Sequence, residues 1–332
     1  MSRYMLIVVV ICSMLNTACH RLWYGDCPAP SALARKALPS HLSETGLFTH
    51  VATQALAPGV KPYRPRFELW TDGAEKSRWI ALPEGAQIDT RDMNAWQMPV
   101  GTRLWKTFVR DGVRVETRML MRIDEGADGW TGGAYVWLPD GSDAVRTLEG
   151  ADDARGTPHD VPSADACRGC HGGTESFVLG FSAVQLAEAR GPTTLSTLTT
   201  EGRLSHPPAH PVKLPGSSET QEVLGHFHVH CGHCHNQHRP KGDSARCYDP
   251  QKAFDLSLRT DRMERLDDTP LYTAMRVHDM VKPGHPEDSA LYQCMTRGTV
   301  GFQVRMPPLG TEIFDEAGVE KVRRWIANLE GG

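Results

Sequence analysis

The alternation of apolar and polar positions divides this chain into a β-like part and a helical part. Arg78-Trp79-Ile80-Ala81-Leu82 reads as a short strand that ends at Pro83. Thr102 to Val109 and Val113 to Arg122 read as two strands, joined at Asp111-Gly112 by a tight hairpin turn. Tyr135-Val136-Trp137-Leu138 is another, closed by Pro139-Asp140-Gly141. Short strands separated by turn residues predict a small β-sandwich between Tyr63 and Glu149. Five of the eight tryptophans fall between Trp70 and Trp130 and a sixth is Trp137, a density better suited to core packing than to a ligand surface.

Helical spacing takes over later. Val319, Val322, Trp325, Ile326 and Leu329 form one apolar stripe on a helix from Glu316 to Leu329, with Asp315 placed to cap it. Val223, Phe227 and Cys231 recur at intervals of four on a helix starting near Gln221, and Phe227 is expected to pack against Trp325. Phe177 to Leu186 reads as a short helix. Ser40 to Val51 reads as a short helix or a strap, and Thr193 to Gly216, rich in Thr, Ser and Pro, as a wrapping loop. Gly150 to Ser163 turns acidic and Gly/Pro-rich, as in a linker or a surface loop. The expected organisation is multidomain α+β: a β-rich, sandwich-like domain over 25–150, a first motif segment over 151–220, and a mainly α region over 221–332.

Composition narrows the function classes. With 36 basic and 40 acidic residues the formal charge is −4, which gives no electrostatic footprint for nucleic acid. The 54 Gly and Pro residues, 31 and 23, favour turns over long regular helices. Arg3 followed by the apolar run Met5 to Leu15 fits a secretory signal over 1–18, too short for a comfortable membrane span. Asn16-Thr17-Ala18-Cys19 then resembles a bacterial lipoprotein site that would anchor the chain through Cys19; cleavage near Ala18, releasing a soluble protein, is the alternative.

The chemistry lies in the pentads Cys167-Arg168-Gly169-Cys170-His171 and Cys231-Gly232-His233-Cys234-His235. C-x-x-C-H is the arrangement that attaches a c-type haem: two thioethers to one porphyrin, and a proximal nitrogen from the adjoining His. With nine Cys and fifteen His in 332 residues, chance order would give about 0.01 such pentads. A zinc site from the same four cysteines would normally hold the pairs about 15–20 residues apart, against about sixty here, and neither zinc nor a redox C-x-x-C requires the trailing His. Two covalent haem groups are therefore expected, with Cys167, Cys170, Cys231 and Cys234 as attachment points and His171 and His235 as iron ligands. Export agrees with this, since c-type haem is attached outside the bacterial cytoplasm.

Met306 is the candidate distal ligand of the iron held by His235, because Pro307 and Pro308 hold it in a rigid extended loop. The distal ligand of the first haem is open. No Met lies between Arg122 and Arg262, so a His is expected, with His206, His210, His226, His228 and His230 as candidates and His159, His233 and His238 in the same interval. Of the remaining cysteines Cys27, Cys247 and Cys294, a Cys247–Cys294 disulfide is expected, with Cys27 as rival partner.

From Tyr63 to Leu329 the chain resembles bacterial dihaem c-type cytochromes whose β-rich region carries L-W-[ST]-D-G-A-x-K-x-R-W-I and P-V-G-T-x-L-W-K-T-F motifs, here Leu69 to Ile80 and Pro99 to Phe108. Its last third is similar to planctomycete-type cytochrome domains, sharing V-x-P-G-x-P-E-x-S-x-L at Val281 to Leu291, then M-P-P-x-G and the Trp-Ile of the last helix. The resemblance implies haem binding and electron transfer with redox partner proteins of the cell envelope, with Met306 matching the distal ligand. The competing class is a dihaem oxidoreductase of peroxidase type with an open first haem.

Overall fold

The computed structural model describes residues 38–126, 129–237, 255–277, 280–297, 305–307 and 311–329. The leader, Cys19, Cys27, His238 and Cys247 lie outside these residues, and so does the expected disulfide pairing of Cys294. Among the described residues, no helix is long and apolar enough to cross a membrane.

Among the described residues eight strands follow one another: β1 (Phe48–His50), β2 (Ala55–Leu56), β3 (Val60–Tyr63), β4 (Glu75–Ala81), β5 (Arg103–Arg110), β6 (Val113–Arg122), β7 (Trp130–Trp137) and β8 (Ala144–Thr147). β1 and β2 form a separate two-stranded hairpin; β3 to β8 form one antiparallel meander in sequence order. The turn between β5 and β6 lies where Asp111-Gly112 places it, and both residues take positive φ, 50° and 76°.

The described residues then form the helices α1 (Ala164–His171), α2 (Ala183–Leu186), α3 (Leu195–Thr200), α4 (Ser218–His230), α5 (Pro270–Val277), α6 (Ala290–Thr296) and α7 (Glu316–Asn328). Side-chain oxygens cap several: Ser217 accepts from Thr220 N–H at the start of α4, and Asp315 from Gly318 N–H at the start of α7.

Two parts of the expected fold class are corrected. The β region is one six-stranded sheet rather than two matched sheets: among the described residues the second sheet is only the two-stranded β1–β2 hairpin. Trp105, Met119, Tyr135 and Trp137 point to one face, where residues 38–60, with the small hairpin and a single 3-10 turn at Leu42–Glu44, complete a buried cluster. The opposite face carries Ile80, Leu104 and Leu120, which pack with Phe177, Phe181, Leu186, Leu195 and Leu198 from α2, α3 and their flanks. Nor is the C-terminal part mainly α. Among the described residues only α4 and α7 reach 13 residues, and α5 and α6 are short.

Smaller differences have local causes. α3 forms inside the expected loop because Thr194 and Thr197 cap its first turn reciprocally. The helix expected over Phe177 to Leu186 shrinks to its last four residues, since Phe177 and Gly180 both take positive φ. Residues 150–163 are no linker: Val161 and Ala154 are buried against Val115 and Ala134 of the sheet.

α4 and α7 pack together, and Phe227 and Trp325 share one buried cluster with Val223, Val319, Val322 and Ile326. This is the helix pair that the two stripes predict. Phe67, just before β4, reaches into the same cluster and lies flat against Gly225, where an added Cβ would come within 2.2 Å of the ring. Gly225→Ala is therefore expected to cost about 1–3 kcal/mol by overpacking, measured by urea denaturation, with Phe67→Leu in the same chain restoring part of it.

Candidate functional site

One cavity of about 620 Å³ reaches both pentads, a volume within the ordinary range for small-molecule and cofactor sites. Its wall includes Cys167, Cys170, His171, Cys231, Cys234, His235 and Met306. The segments carrying the pentads touch through their backbones. Asn236 Nδ2 donates to the carbonyls of Gly173 (2.9 Å) and Gly232 (2.8 Å), tying the chain after the first pentad to the second. Gly173 approaches the carbonyl of His233 so closely that a Cβ would lie 2.3 Å from it.

The first pentad ends α1, which packs against β7. His171 Nδ1 lies 2.9 Å from the carbonyl of Phe177. A carbonyl only accepts, so Nδ1 carries the proton and the Nε2 lone pair is left available, the tautomer a metal-bound His takes. Burial, then the charge of Lys106, pushes His171 down to about 3, so the ring is neutral. Phe177 holds its carbonyl there at φ 58°, an uncommon conformation for a bulky residue, with its ring stacked on Trp130 at 5.7 Å.

The second pentad continues α4 by another turn, with Cys231 N–H bonded to Phe227 O, and both Cys234 N–H and His235 N–H bonded to Cys231 O. Gly232 is needed at that turn: a Cβ would lie 2.6 Å from His228 O and 3.0 Å from Leu256 O. Met306 N–H donates to the carbonyl of Cys294 on α6 at 2.9 Å, which fixes the Met loop against the cavity. His235 and Met306 thus line one space with both cysteine pairs, the donor set that a haem attached at either pentad would use.

The histidines sort differently from their sequence spacing. His206 and His210 are exposed and lie outside the cavity wall. His159 is buried with Nε2 at 2.7 Å from Glu116, which also accepts from Arg118. His228 Nδ1 accepts from Leu258 N–H at 3.1 Å, so its proton sits on Nε2. His230 is fully used: Nδ1–H donates to His226 O at 2.8 Å, and Nε2 accepts from Trp70 N–H at 2.8 Å. His233 Nδ1 lies 3.2 Å from Val229 O, and the ring sits beside Cys170 and Cys234.

His226, His230 and Asp315 bring ligand atoms within 4.8 Å of one another, the spacing of a metal site. The hydrogen bonds argue against one. His230 has no lone pair to give, and Asp315 Oδ1 is occupied as the cap of α7. The cluster serves instead to join three elements.

The bond from Trp70 gives the Leu69 to Ile80 motif its role. Besides donating its backbone N–H to His230, Trp70 donates Nε1–H to Ile313 O at 2.9 Å, and Asp72 Oδ1 accepts from Ile313 N–H at 2.8 Å. Lys76 Nζ folds back onto Leu69 O. The motif is thus a clamp between the sheet, α4 and the segment entering α7. Sequence reading missed this, because nothing local in Leu-Trp-Thr-Asp-Gly names a partner about 160 residues away. In Pro99 to Phe108, alternation divides the work: Trp105 and Thr107 face the outer core, Lys106 and Phe108 the cavity.

Comparison with family models, with curated proteins and with solved structures found no match to this chain.

Burial holds the His226, His228 and His230 rings below their ordinary value of 6.5, with His228 and His230 down to about 4. The unfolded chain therefore takes up protons first as pH falls, and stability present above pH 6.5 is lost between about 6.5 and about 4. Denaturation midpoints measured from pH 7 to pH 4 should fall across that window. His230→Ala should cost about 1–3 kcal/mol at pH 7, because it strands the Trp70 N–H in a half-buried site.

Proposed function

We propose that this chain is an exported dihaem c-type cytochrome that transfers electrons between redox partners of the cell envelope. The single observation supporting the proposal most strongly is that two C-x-x-C-H pentads, about sixty residues apart in sequence, meet on one cavity. Cys167 and Cys170 would hold one group, with His171 as its proximal ligand; Cys231 and Cys234 the other, with His235 and Met306. When bound, haem supplies one-electron chemistry at potentials set by ligand identity and burial. The chain's own contribution is to orient His171 through Phe177, to hold Met306 through Cys294, and to keep both sites under one roof.

A second reading concerns the first haem. His206 and His210 lie away from the cavity, His226 lies outside its wall, His230 has both nitrogens engaged, and His228 carries its proton on Nε2. None of the five candidates is therefore ready to serve as the distal ligand of the iron at His171. That favours an open first haem beside the His159–Glu116–Arg118 group, as a dihaem oxidoreductase would require.

Haem-stained denaturing electrophoresis and intact mass should show two covalent haems per chain; one haem, or bound zinc, would sink the proposal. Met306→Ala should abolish the ferric sulfur-to-iron charge-transfer band and lower one midpoint potential. EPR of the ferric protein separates the two readings: two low-spin haems mean a carrier, whereas a high-spin signal that shifts with cyanide means an open first haem.

A further inference from the structure

Three cations face the cavity in one line across the sheet. Arg78 on β4 pairs in register with Lys106 on β5, and Lys106 with Arg118 on β6. All three side chains line the cavity. Like charges directly opposite on neighbouring strands repel, so a fold that keeps three in a row needs anions to offset them. Two of the three have one: Glu68 lies 3.2 Å from Arg78, and Glu116 takes two guanidinium nitrogens of Arg118. Lys106, in the middle, has no hydrogen-bond or ion-pair partner among the described residues. Its Nζ lies 5.8 Å from the centroid of the Phe108 ring, and the charge of Glu116, already paired with Arg118, acts on it only without direct contact.

An ammonium in a cavity without a counter-ion is costly. Burial, then the charges of Arg78 and Arg118, pushes Lys106 down to about 7, so an anion beside it would be needed to keep it charged. The rest of the wall does not supply one. Its acids are Asp72, Glu149, Asp152, Asp160, Glu175 and Glu312; four of them lie on the 149–160 strap and on the segment entering α7, and none pairs with Lys106 among the described residues. Those acids are themselves crowded enough that Glu312 is raised by the charge of Asp160. The cavity is therefore polarised, with a cationic sheet floor and an acidic strap.

We propose that the Arg78–Lys106–Arg118 row receives a haem propionate, with Lys106 as its central contact. This rests on the haem reading above. A propionate fits better than a free anion because it belongs to a covalently attached group, so the repulsion in the row is offset in every loaded molecule. The inner face of the β-rich region then acts as a carboxylate-binding floor for the cofactor.

The test uses the full-length, haem-loaded protein, with both midpoint potentials followed optically at fixed pH and ionic strength. A cation beside a propionate favours the reduced, more negative state. Lys106→Met should lower one potential by about tenfold in the reduction equilibrium, about 59 mV for one electron. Lys106→Arg should largely preserve that potential, and Lys61→Met, which removes the same charge from an exposed pair with Glu201, should leave both unchanged. If Lys106→Met does not fold, Lys106→Gln provides the same comparison. Unchanged potentials in a haem-loaded Lys106→Met protein would overturn the proposal. So would a change of ferric spin state, which would make Lys106 an iron ligand. So would wild-type potentials that respond to added phosphate or acetate in a way the variant abolishes, which would mean a free anion. A wild-type chain without covalent haem would instead remove the parent reading.

Discussion

The hydrogen bond from Trp70 N–H to His230 Nε2 is the joint on which the rest of the architecture depends. It fixes the His230 tautomer, because a backbone N–H can only donate, and so commits the other nitrogen to the carbonyl of His226. That locks α4 one residue before the second pentad begins. The same Trp70 holds Ile313, which leads into α7, so one residue sets the distance between the sheet, α4 and α7. With that spacing fixed, Phe67 can lie against Gly225 and Phe227 can share its cluster with Trp325.

The cavity is built from the polar face of a sheet that is otherwise ordinary. Outward, β4 to β7 present Trp105, Met119 and Trp137 to an apolar core. Inward, one end is apolar and packs against α2 and α3, while the other carries the charged row and the buried Glu116–His159 pair. A half-apolar, half-charged face is unusual for a core sheet, since buried ions demand partners. Here the strap over 150–163 supplies one of them in His159, which is 2% exposed.

What could be read in advance followed periodicity. The β5–β6 hairpin, α7 with its Asp315 cap, and the pairing of two apolar stripes all rest on local patterns of two or 3.6 residues. The sandwich did not follow, because alternation tells that a strand has two faces but not whether another sheet or a strap covers the second. The helical content of the last third was overread for a related reason: cytochrome-like motifs suggested helices where Pro and Gly permit only short ones. The histidines show the limit most sharply. Spacing put His226 and His230 on one helical face, as their stacked rings at 4.0 Å bear out, but it could not show that a distant Trp70 N–H had already taken His230.

On the haem reading, the close seating of the two pentads would set an order of events during biogenesis. Cys231 is 9% exposed, and the chain after the first pentad rests directly on the backbone of the second. Thioether formation needs each thiol to meet a vinyl group, so on the haem reading the buried Cys231, unlike the partly exposed Cys167, Cys170 and Cys234, would have to react before its surroundings close. The meander from β3 to β8 consists of neighbouring strands alone and can assemble without the helices. Cofactor loading would then fall in the interval between sheet formation and the docking of Trp70 on His230, and the clamp would act as the last latch to close.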